Sequence, residues 1–204
     1  MSYFFSWHSG NDSSFVVHLQ TKILIMLDPY KIIEKYYQKD SELYSILVIH
    51  SEQVRNKALE VATRNPDLRA DLEFIAEAAM LHDIGIFKCN APRLHCFGTH
   101  HYIEHGYLGA DILRSEGLER HAFVCERHTG VGLTKEMIID GKLPVPQRDM
   151  TPQTIEEQII CYADKFFSKT KLTETHSVEN IRKELGRFGD YQVTVFDHWH
   201  SLFQ

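Results

Sequence analysis

The sequence predicts an all-α fold, a single-domain bundle of helices. Apolar residues recur at intervals of three and four along almost all of the 204 residues, as on the buried face of a helix. No run alternates between apolar and polar residues for long enough to predict a strand. The chain also has no repeat, low-complexity tract or flexible linker, so its length suits one domain with a substantial core.

Caps and breakers place the helices in order. Ser41 is a good N-cap for a long helix that Asn65-Pro66 ends, and Gly85 and Gly117 close two later helices. The predicted helices cover residues 30–39, 41–64, 69–84, 102–116, 119–128, 154–169, 177–188 and part of 191–203, with a short helical turn at 134–141 and a long irregular loop at 87–100.

We expect residues 1–25 to form an N-terminal extension and residues 26–204 to form the domain. The apolar stretch at 15–27 is too short to span a bilayer, and it lacks the basic region and cleavage site of a secretory signal. It is interpreted either as a packing segment or as the result of a mis-assigned start codon, with Met26 as the natural first residue.

The composition narrows the class of protein. A net charge of -6 without a lysine-rich tract argues against a nucleic-acid polymer or a membrane surface as partner. The four cysteines form no C-x-x-C pair and are interpreted as reduced thiols, which predicts a cytoplasmic location. The 13 histidines are unusual, since imidazole is the commonest metal ligand in proteins. The oligomeric state is not indicated.

Six ionisable side chains fall on the apolar faces of five predicted helices. One such histidine is usually a core residue with a backbone partner, and one such aspartate is usually a cap or half of a salt bridge. Six separate buried groups would each need a partner, whereas a single metal centre would satisfy them all. The six residues are His50, His82, Asp83, His105, His128 and Asp164.

Four imidazoles and two carboxylates without a thiolate suit iron, manganese, zinc, cobalt or nickel better than a structural zinc site. Six ligands are too many for one ion that must also hold water and substrate. They are natural for two ions about 3.5–4 Å apart that share a carboxylate. We therefore expect two divalent metal ions, with Asp83 as the bridging ligand.

The order of these residues carries a family resemblance. His50, the "HDIG" of residues 82–85 and Asp164 in "YADKF" resemble the HD superfamily of metal-dependent phosphohydrolases. The segments "EHGYLGADIL" (104–113) and "ERHTGVG" (126–132) look like the additional histidine pair of its two-metal members, among them the HD-GYP phosphodiesterases and the HD-type diadenosine tetraphosphate hydrolases. The resemblance covers about residues 40–170.

The resemblance implies an HD-domain helical bundle and a division of the ligands. One metal would be bound by His50, His82, Asp83 and Asp164, and the second by His105, His128 and the bridging Asp83. Two features depart from the family pattern. Ile86 stands where many relatives have a lysine directly after HDIG, and the GYP motif is absent.

The predicted function is hydrolysis of a phosphomonoester or phosphoanhydride in a small, nucleotide-like substrate by a metal-activated hydroxide. Asp83, Lys88 and Arg148 are the catalytic candidates. Arg148 is preferred among the cations, because it lies in a proline-stiffened loop ahead of the Asp164 helix. The candidate substrate-binding cations are Lys88, Arg93, Arg148, Lys165 and Lys169.

Two other functions remain open at this point. A di-iron oxygenase with an HD fold, similar to inositol oxygenase, would use the same six ligands. A non-catalytic sensor that binds a nucleotide would also retain them. The ligand set alone does not distinguish these alternatives from the phosphohydrolase.

Overall fold

A computed structural model describes residues 27–204, and the expectations for residues 1–25 lie outside this range. The described part is mostly helical, as the sequence predicts. Its helices are α1 (Pro29–Ile33), α2 (Glu42–Arg64), α3 (Leu72–Leu81), α4 (His105–Ser115), α5 (Glu119–Arg127), α6 (Lys135–Asp140), α7 (Ile155–Asp164), α8 (Val178–Gly186) and α9 (Asp190–Phe203).

The side chains that begin the helices are those that the sequence marks. The hydroxyl of Ser41 accepts a hydrogen bond from the Tyr44 amide, and the hydroxyls of Thr154 and Ser177 cap α7 and α8 in the same way. Each cap satisfies one of the backbone N–H groups that a helix leaves unpaired in its first turn. Hydrogen bonds between residues close in sequence therefore determine where these three helices begin.

Several elements differ from the sequence expectation. Helix α1 ends at Ile33 and gives way to turns, instead of reaching residue 39. Helix α7 ends at Asp164 rather than at residue 169. The expected irregular loop at 87–100 contains a small antiparallel hairpin in which β1 (Asn90–Ala91) pairs with β2 (Cys96–Phe97). Two-residue strands have no alternation to detect, so pattern reasoning missed them.

The apolar faces of the helices form two main clusters. The larger cluster lies between α2, α3, α7 and α9, where the Phe196 ring stacks on Tyr162 with centroids 5.5 Å apart. The second cluster joins α1 to α3 and α4 and includes the fully buried Leu81 and Leu113. Full burial of such side chains contributes roughly 1.5–3 kcal/mol each. The six candidate ligands are buried within the same bundle.

Gly85 has a role that differs from the expected helix stop. Helix α3 already ends at Leu81, and the φ angle of Gly85 is -83°, which any residue can adopt. A Cβ atom at this position would lie 2.2 Å from the carbonyl oxygen of His105 and 2.5 Å from the amide nitrogen of Gly109. The absence of a side chain therefore lets the segment after α3 touch the backbone of α4.

Within residues 27–204, no helix combines the length and the apolar character that crossing a bilayer requires.

Candidate metal centre

The structure brings the six candidate ligands together in two adjoining groups. One group contains His50, His82, Asp83 and Asp164, and the other contains Asp83, His105 and His128. All six side chains are buried. Asp83 belongs to both groups: its Oδ2 lies 3.2 Å from His50 Nε2, and its Oδ1 lies 3.3 Å from Nε2 of both His105 and His128.

Helix ends place most of these side chains. His82 and His128 are the C-caps of α3 and α5, Asp164 is the last residue of α7, and His105 is the first residue of α4. His50 lies within α2. The C-termini of three helices thus converge on the centre. Because a helix C-terminus carries partial negative charge, this arrangement favours bound cations.

Backbone carbonyls fix the orientation of three imidazoles. In each, Nδ1 donates a hydrogen bond to the carbonyl oxygen three residues earlier, which directs Nε2 at the centre. The distances are 2.6 Å from His82 to Ala79, 2.6 Å from His105 to Tyr102 and 2.7 Å from His128 to Cys125. The imidazoles are therefore held in the tautomer that a metal ligand requires.

The second group fits a cation on electrostatic grounds. The Nε2 atoms of His105 and His128 lie only 3.0 Å apart. Because Nδ1 of each ring donates to a carbonyl, both facing nitrogens carry lone pairs, which repel one another in the absence of a positive charge. A divalent ion coordinated by both nitrogens and by Oδ1 of Asp83 would relieve this repulsion.

The first group fits a cation because several of its polar atoms lack a well-aligned hydrogen bond. Nε2 of His82 and both carboxylate oxygens of Asp83 are buried and have no well-aligned hydrogen bond within residues 27–204. Buried polar atoms without a partner are costly and call for an ion or water. The donor atoms lie 3.0–3.5 Å apart, as expected for ligands about 2.1 Å from a shared ion.

The two groups differ in electrostatics. Burial opposes the charged form of His82, but the charges of Asp83 and Asp164 prevail and raise its pKa to about 9. In the second group, burial and the neighbouring His128 lower the pKa of His105 to about 3. The carboxylate-rich group thus attracts positive charge strongly, while the histidine-rich group keeps its imidazoles neutral and able to coordinate.

Two lysines compensate the negative charge of the carboxylates. Nζ of Lys169 lies 2.7 Å from Oδ2 of Asp83, and Nζ of Lys165 lies 2.8 Å from Oδ2 of Asp164. Burial raises the pKa of both carboxyls, but the neighbouring positive charges outweigh it and hold each pKa well below its usual range. The sequence proposed both lysines as substrate-binding cations, and the structure brings both to the centre.

The centre opens on one side into a cavity of about 340 Å³. Its wall includes His105 and His128 from the second group, Asp164 from the first, and both Lys165 and Lys169. A closed structural metal site is surrounded by its ligands, whereas a catalytic site keeps an accessible side. The exposed side of this centre is therefore suited to a small anionic ligand.

The other three predicted cations lie away from the centre. The guanidinium of Arg148 pairs with Glu126, with its Nε 2.7 Å from Oε1, and is half exposed. Arg93 is exposed in the turn between β1 and β2, and Lys88 lies in a short 3₁₀ turn after Gly85. Among the described contacts, none joins these side chains to the six candidate ligands. Their predicted roles remain untested.

Tyr102 belongs to the site but escaped the sequence analysis. It lines the cavity, and its ring stacks on the imidazole of His105 with centroids 4.7 Å apart. Its carbonyl also accepts the hydrogen bond that orients His105. The available signal was its position three residues before a candidate ligand at the start of a helix. Thr129 and Gly130, directly after His128, complete the wall.

The chain is similar to several curated proteins. An uncharacterized protein of Methanocaldococcus jannaschii is 37% identical over 131 residues, which is 63% of this chain and 70% of the relative. Two proteins named tRNA (cytidine(56)-2'-O)-methyltransferase are also similar. The one from Thermoplasma volcanium is 32% identical over 80% of this chain, and the one from Picrophilus torridus is 33% identical over 66%.

The chain spans only 44% and 35% of the length of those two methyltransferases. No solved structure matches the chain. The HD domain family matches residues 47–168, a range that begins just before His50 and ends just after Asp164 and so contains all six candidate ligands. This match covers more than half of the sequence. The chain therefore belongs to the HD domain family.

Proposed function

We propose that this protein hydrolyses a phosphomonoester or phosphoanhydride bond of a small substrate with the help of two divalent metal ions. The observation that carries the proposal is the position of Asp83, whose two oxygens face different groups of histidines. Hydrolases with two metals use a shared ligand to hold the ions about 3.5–4 Å apart. Membership of the HD domain family, which is associated with metal-dependent phosphohydrolases, supports this function.

The chain itself would supply ligands, orientation and charge. Bound ions would lower the pKa of a water molecule and neutralise the phosphoryl oxygens. The carbonyl-anchored imidazoles hold their Nε2 atoms in fixed positions, so little reorganisation is needed. Lys165 and Lys169 present ammonium groups at the cavity wall, where they would donate hydrogen bonds to phosphoryl oxygens.

The cavity lysines are favoured over the other predicted cations as phosphate contacts. Arg148 pairs with Glu126, which also pairs with Arg114, and it does not line the cavity beside the metal centre. Lys165 and Lys169 lie against the carboxylates of the centre and border the cavity. A small phosphorylated molecule is therefore the proposed partner, and a cytoplasmic location stays a prediction.

The name of the two methyltransferase relatives is not transferred to this chain. Each of those proteins is much longer than the part that the match covers, and methyl transfer gives no reason to gather four histidines and two aspartates. The cluster of this chain has the donor set of a hydrolytic metal centre.

The test begins with protein stripped of metal and reloaded separately with Mn²⁺, Fe²⁺, Co²⁺, Ni²⁺ or Zn²⁺. Release of inorganic phosphate would be measured with p-nitrophenyl phosphate and with nucleoside mono-, di- and triphosphates. Asp83→Asn should abolish release. His121→Gln is the matched control, because His121 is also buried but pairs with Glu77 rather than with the centre.

Three outcomes separate the candidate functions. Metal-dependent phosphate release that Asp83→Asn abolishes would support the phosphohydrolase. Turnover that consumes oxygen, requires iron and releases no phosphate would replace it with an oxygenase. Tight nucleotide binding without turnover under any metal would replace it with a sensor.

A further inference from the structure

A second, larger cavity adjoins the metal centre. Its volume is about 640 Å³, within the range of pockets that hold small organic ligands. Helix α6, the segment before it and the start of α9 form the walls. The apolar lining includes Leu133, Met137, Leu143, Phe188 and Tyr191.

The two cavities are neighbours. Ile103, Thr129 and Gly130 line both of them, and Thr129 directly follows the candidate ligand His128. A molecule with its phosphate against the metal centre can therefore extend past these three residues into the larger cavity. The shared wall makes the larger cavity a second compartment of the same site.

The lining of the larger cavity is poorly suited to bind a second anion. Within the described chain, it includes no lysine, arginine or histidine, and its charged residues are Glu136 and Asp140. The buried amide of Gln192 is occupied internally, since Oε1 accepts from the Val131 amide at 2.8 Å and Nε2 donates to the Gly132 carbonyl at 2.9 Å. A second phosphate would meet two carboxylates without a compensating cation among the lining residues.

Two aromatic side chains lie at the edge of this cavity with unusual exposure. Phe188, in the turn between α8 and α9, is 71% exposed, and Tyr191, in the first turn of α9, is 44% exposed. Exposed aromatic rings that border a concave apolar surface are typical of ligand sites. Such rings offer faces on which a planar ring of a ligand can stack.

We infer that the larger cavity binds the uncharged, ring-bearing organic group of a phosphate monoester whose phosphate lies against the metal centre. The inference rests on the proposed hydrolysis and adds the class of substrate. In the reaction, the oxygen of water bonds to phosphorus, the ester P–O bond breaks, and the leaving alcohol takes a proton that originates from water. The site thus favours a bulky monoester over a substrate that carries a second phosphate.

The test compares two monoesters of primary alcohols, 1-naphthylmethyl phosphate and methyl phosphate, with the metal-loaded full-length protein. The measured quantity is the ratio of their kcat/KM values. Replacement of both rings in Phe188→Ser/Tyr191→Ser should lower this ratio at least about fivefold, the effect of losing one stacking interaction. Phe97→Ser is the matched control, because Phe97 is 76% exposed on the hairpin and lines neither cavity.

Charge is tested with a third ester that carries a sulfonate on the naphthyl ring. The unmodified protein should discriminate against it relative to the uncharged naphthyl ester. Glu136→Lys/Asp140→Lys should reduce that discrimination at least about tenfold, since repulsion is replaced by attraction. Binding of (1-naphthylmethyl)phosphonate, measured by calorimetry, gives a readout that does not depend on turnover and should weaken in the double serine variant.

The outcomes distinguish this inference from the proposed function. If the esters are hydrolysed but neither ratio responds to these variants, the larger cavity is not the substrate site while the phosphohydrolase stands. If neither the esters nor the nucleotides release phosphate with any metal, the proposed function fails and this inference falls with it. If nucleoside di- or triphosphates are hydrolysed but no ester is, the proposed function stands and this inference is overturned. Equal changes in the ratio for Phe97→Ser and for the double variant would also overturn the inference.

Discussion

The ammonium group of Lys169 lies 2.7 Å from the carboxylate of Asp83, in a contact between a fully buried aspartate and a largely buried lysine. Lys169 follows α7 by several residues, and the chain turns back after Asp164 to bring it to the centre. Asp83 is therefore the meeting point of a lysine and two groups of histidines. We expect both the stability of the bundle and its affinity for metal to depend on this carboxylate.

Removal of the Lys169 charge should destabilise the metal-free protein. In Lys169→Met the buried carboxylate loses its closest cation, and such a loss costs about 3 kcal/mol of unfolding free energy. Added Mn²⁺ should restore most of the difference, because it supplies positive charge to the same carboxylate. Urea denaturation with chelator and with Mn²⁺ measures both effects.

Lys171→Met is the control for that experiment. Lys171 forms an exposed pair with Glu174 in the same segment, and such pairs contribute less than about 1 kcal/mol. An equal loss in both variants, or no rescue of Lys169→Met by metal, would contradict the role of Lys169 as the partner of Asp83.

Substitution of the shared carboxylate should affect both metal groups, whereas substitution of an outer ligand should affect one. We expect Asp83→Asn to bind little metal and His105→Ala to keep about half of the metal bound by the unmodified protein. Elemental analysis after reloading gives the ratio of metal to chain. Full occupancy in Asp83→Asn would be incompatible with the proposed ligation by this residue.

A methyl group at Gly85 should disturb the centre through the backbone. Its Cβ would lie 2.2 Å from the His105 carbonyl oxygen, so α4 must shift and carry His105 with it. We expect Gly85→Ala to lower the unfolding free energy by about 2 kcal/mol or more, with weakened metal binding. At Gly186 a Cβ would meet nothing closer than 3.7 Å, so Gly186→Ala should be neutral or slightly stabilising. Similar melting temperatures for the two variants would refute this.

The attachment of the segment after α1 to the end of α4 should depend on pH. Hydrogen bonds from Lys35 and Tyr36 lower the pKa of Glu116 from its ordinary 4.5. A lowered pKa in the folded state stabilises the protein above the unfolded value, and this contribution disappears as pH falls through the folded value.

Glu116→Gln should therefore be less stable than the unmodified protein at neutral pH, and the difference should shrink as pH falls below 4.5. Denaturant unfolding across this range measures the difference. In the background of Lys35→Met the stability difference should be smaller, because the hydrogen bond from Lys35 to Glu116 is absent. A difference that grows on acidification would have the wrong sign.

Local signals made much of the fold predictable. Ser41, Thr154 and Ser177 cap their helices through bonds to the next few residues, which a sequence displays directly. Helical periodicity also placed the six ligand candidates on inward faces, and the structure gathers them. The metal-binding role of each remains a proposal.

Contacts between distant segments were not visible in the sequence. The periodicity after Asp164 continues to Phe167 and predicts further helix, but the chain leaves the helix there and Phe167 pairs with Thr175 instead. Likewise, nothing local shows that Glu126 pairs with Arg148. Such pairings depend on how helices pack, and a single sequence does not determine them by pattern alone.

The hydrogen bonds that orient His82, His105 and His128 affect how this centre tolerates substitutions nearby. In many metal sites a carboxylate side chain orients the histidine, and one mutation removes it. Here main-chain oxygens of Ala79, Tyr102 and Cys125 perform that task. Because every residue type has such an oxygen, a substitution at these positions does not remove the acceptor that orients the imidazole. The orientation of these imidazoles therefore depends on the backbone of the helices and turns, and not on the identity of the residues that supply the carbonyls.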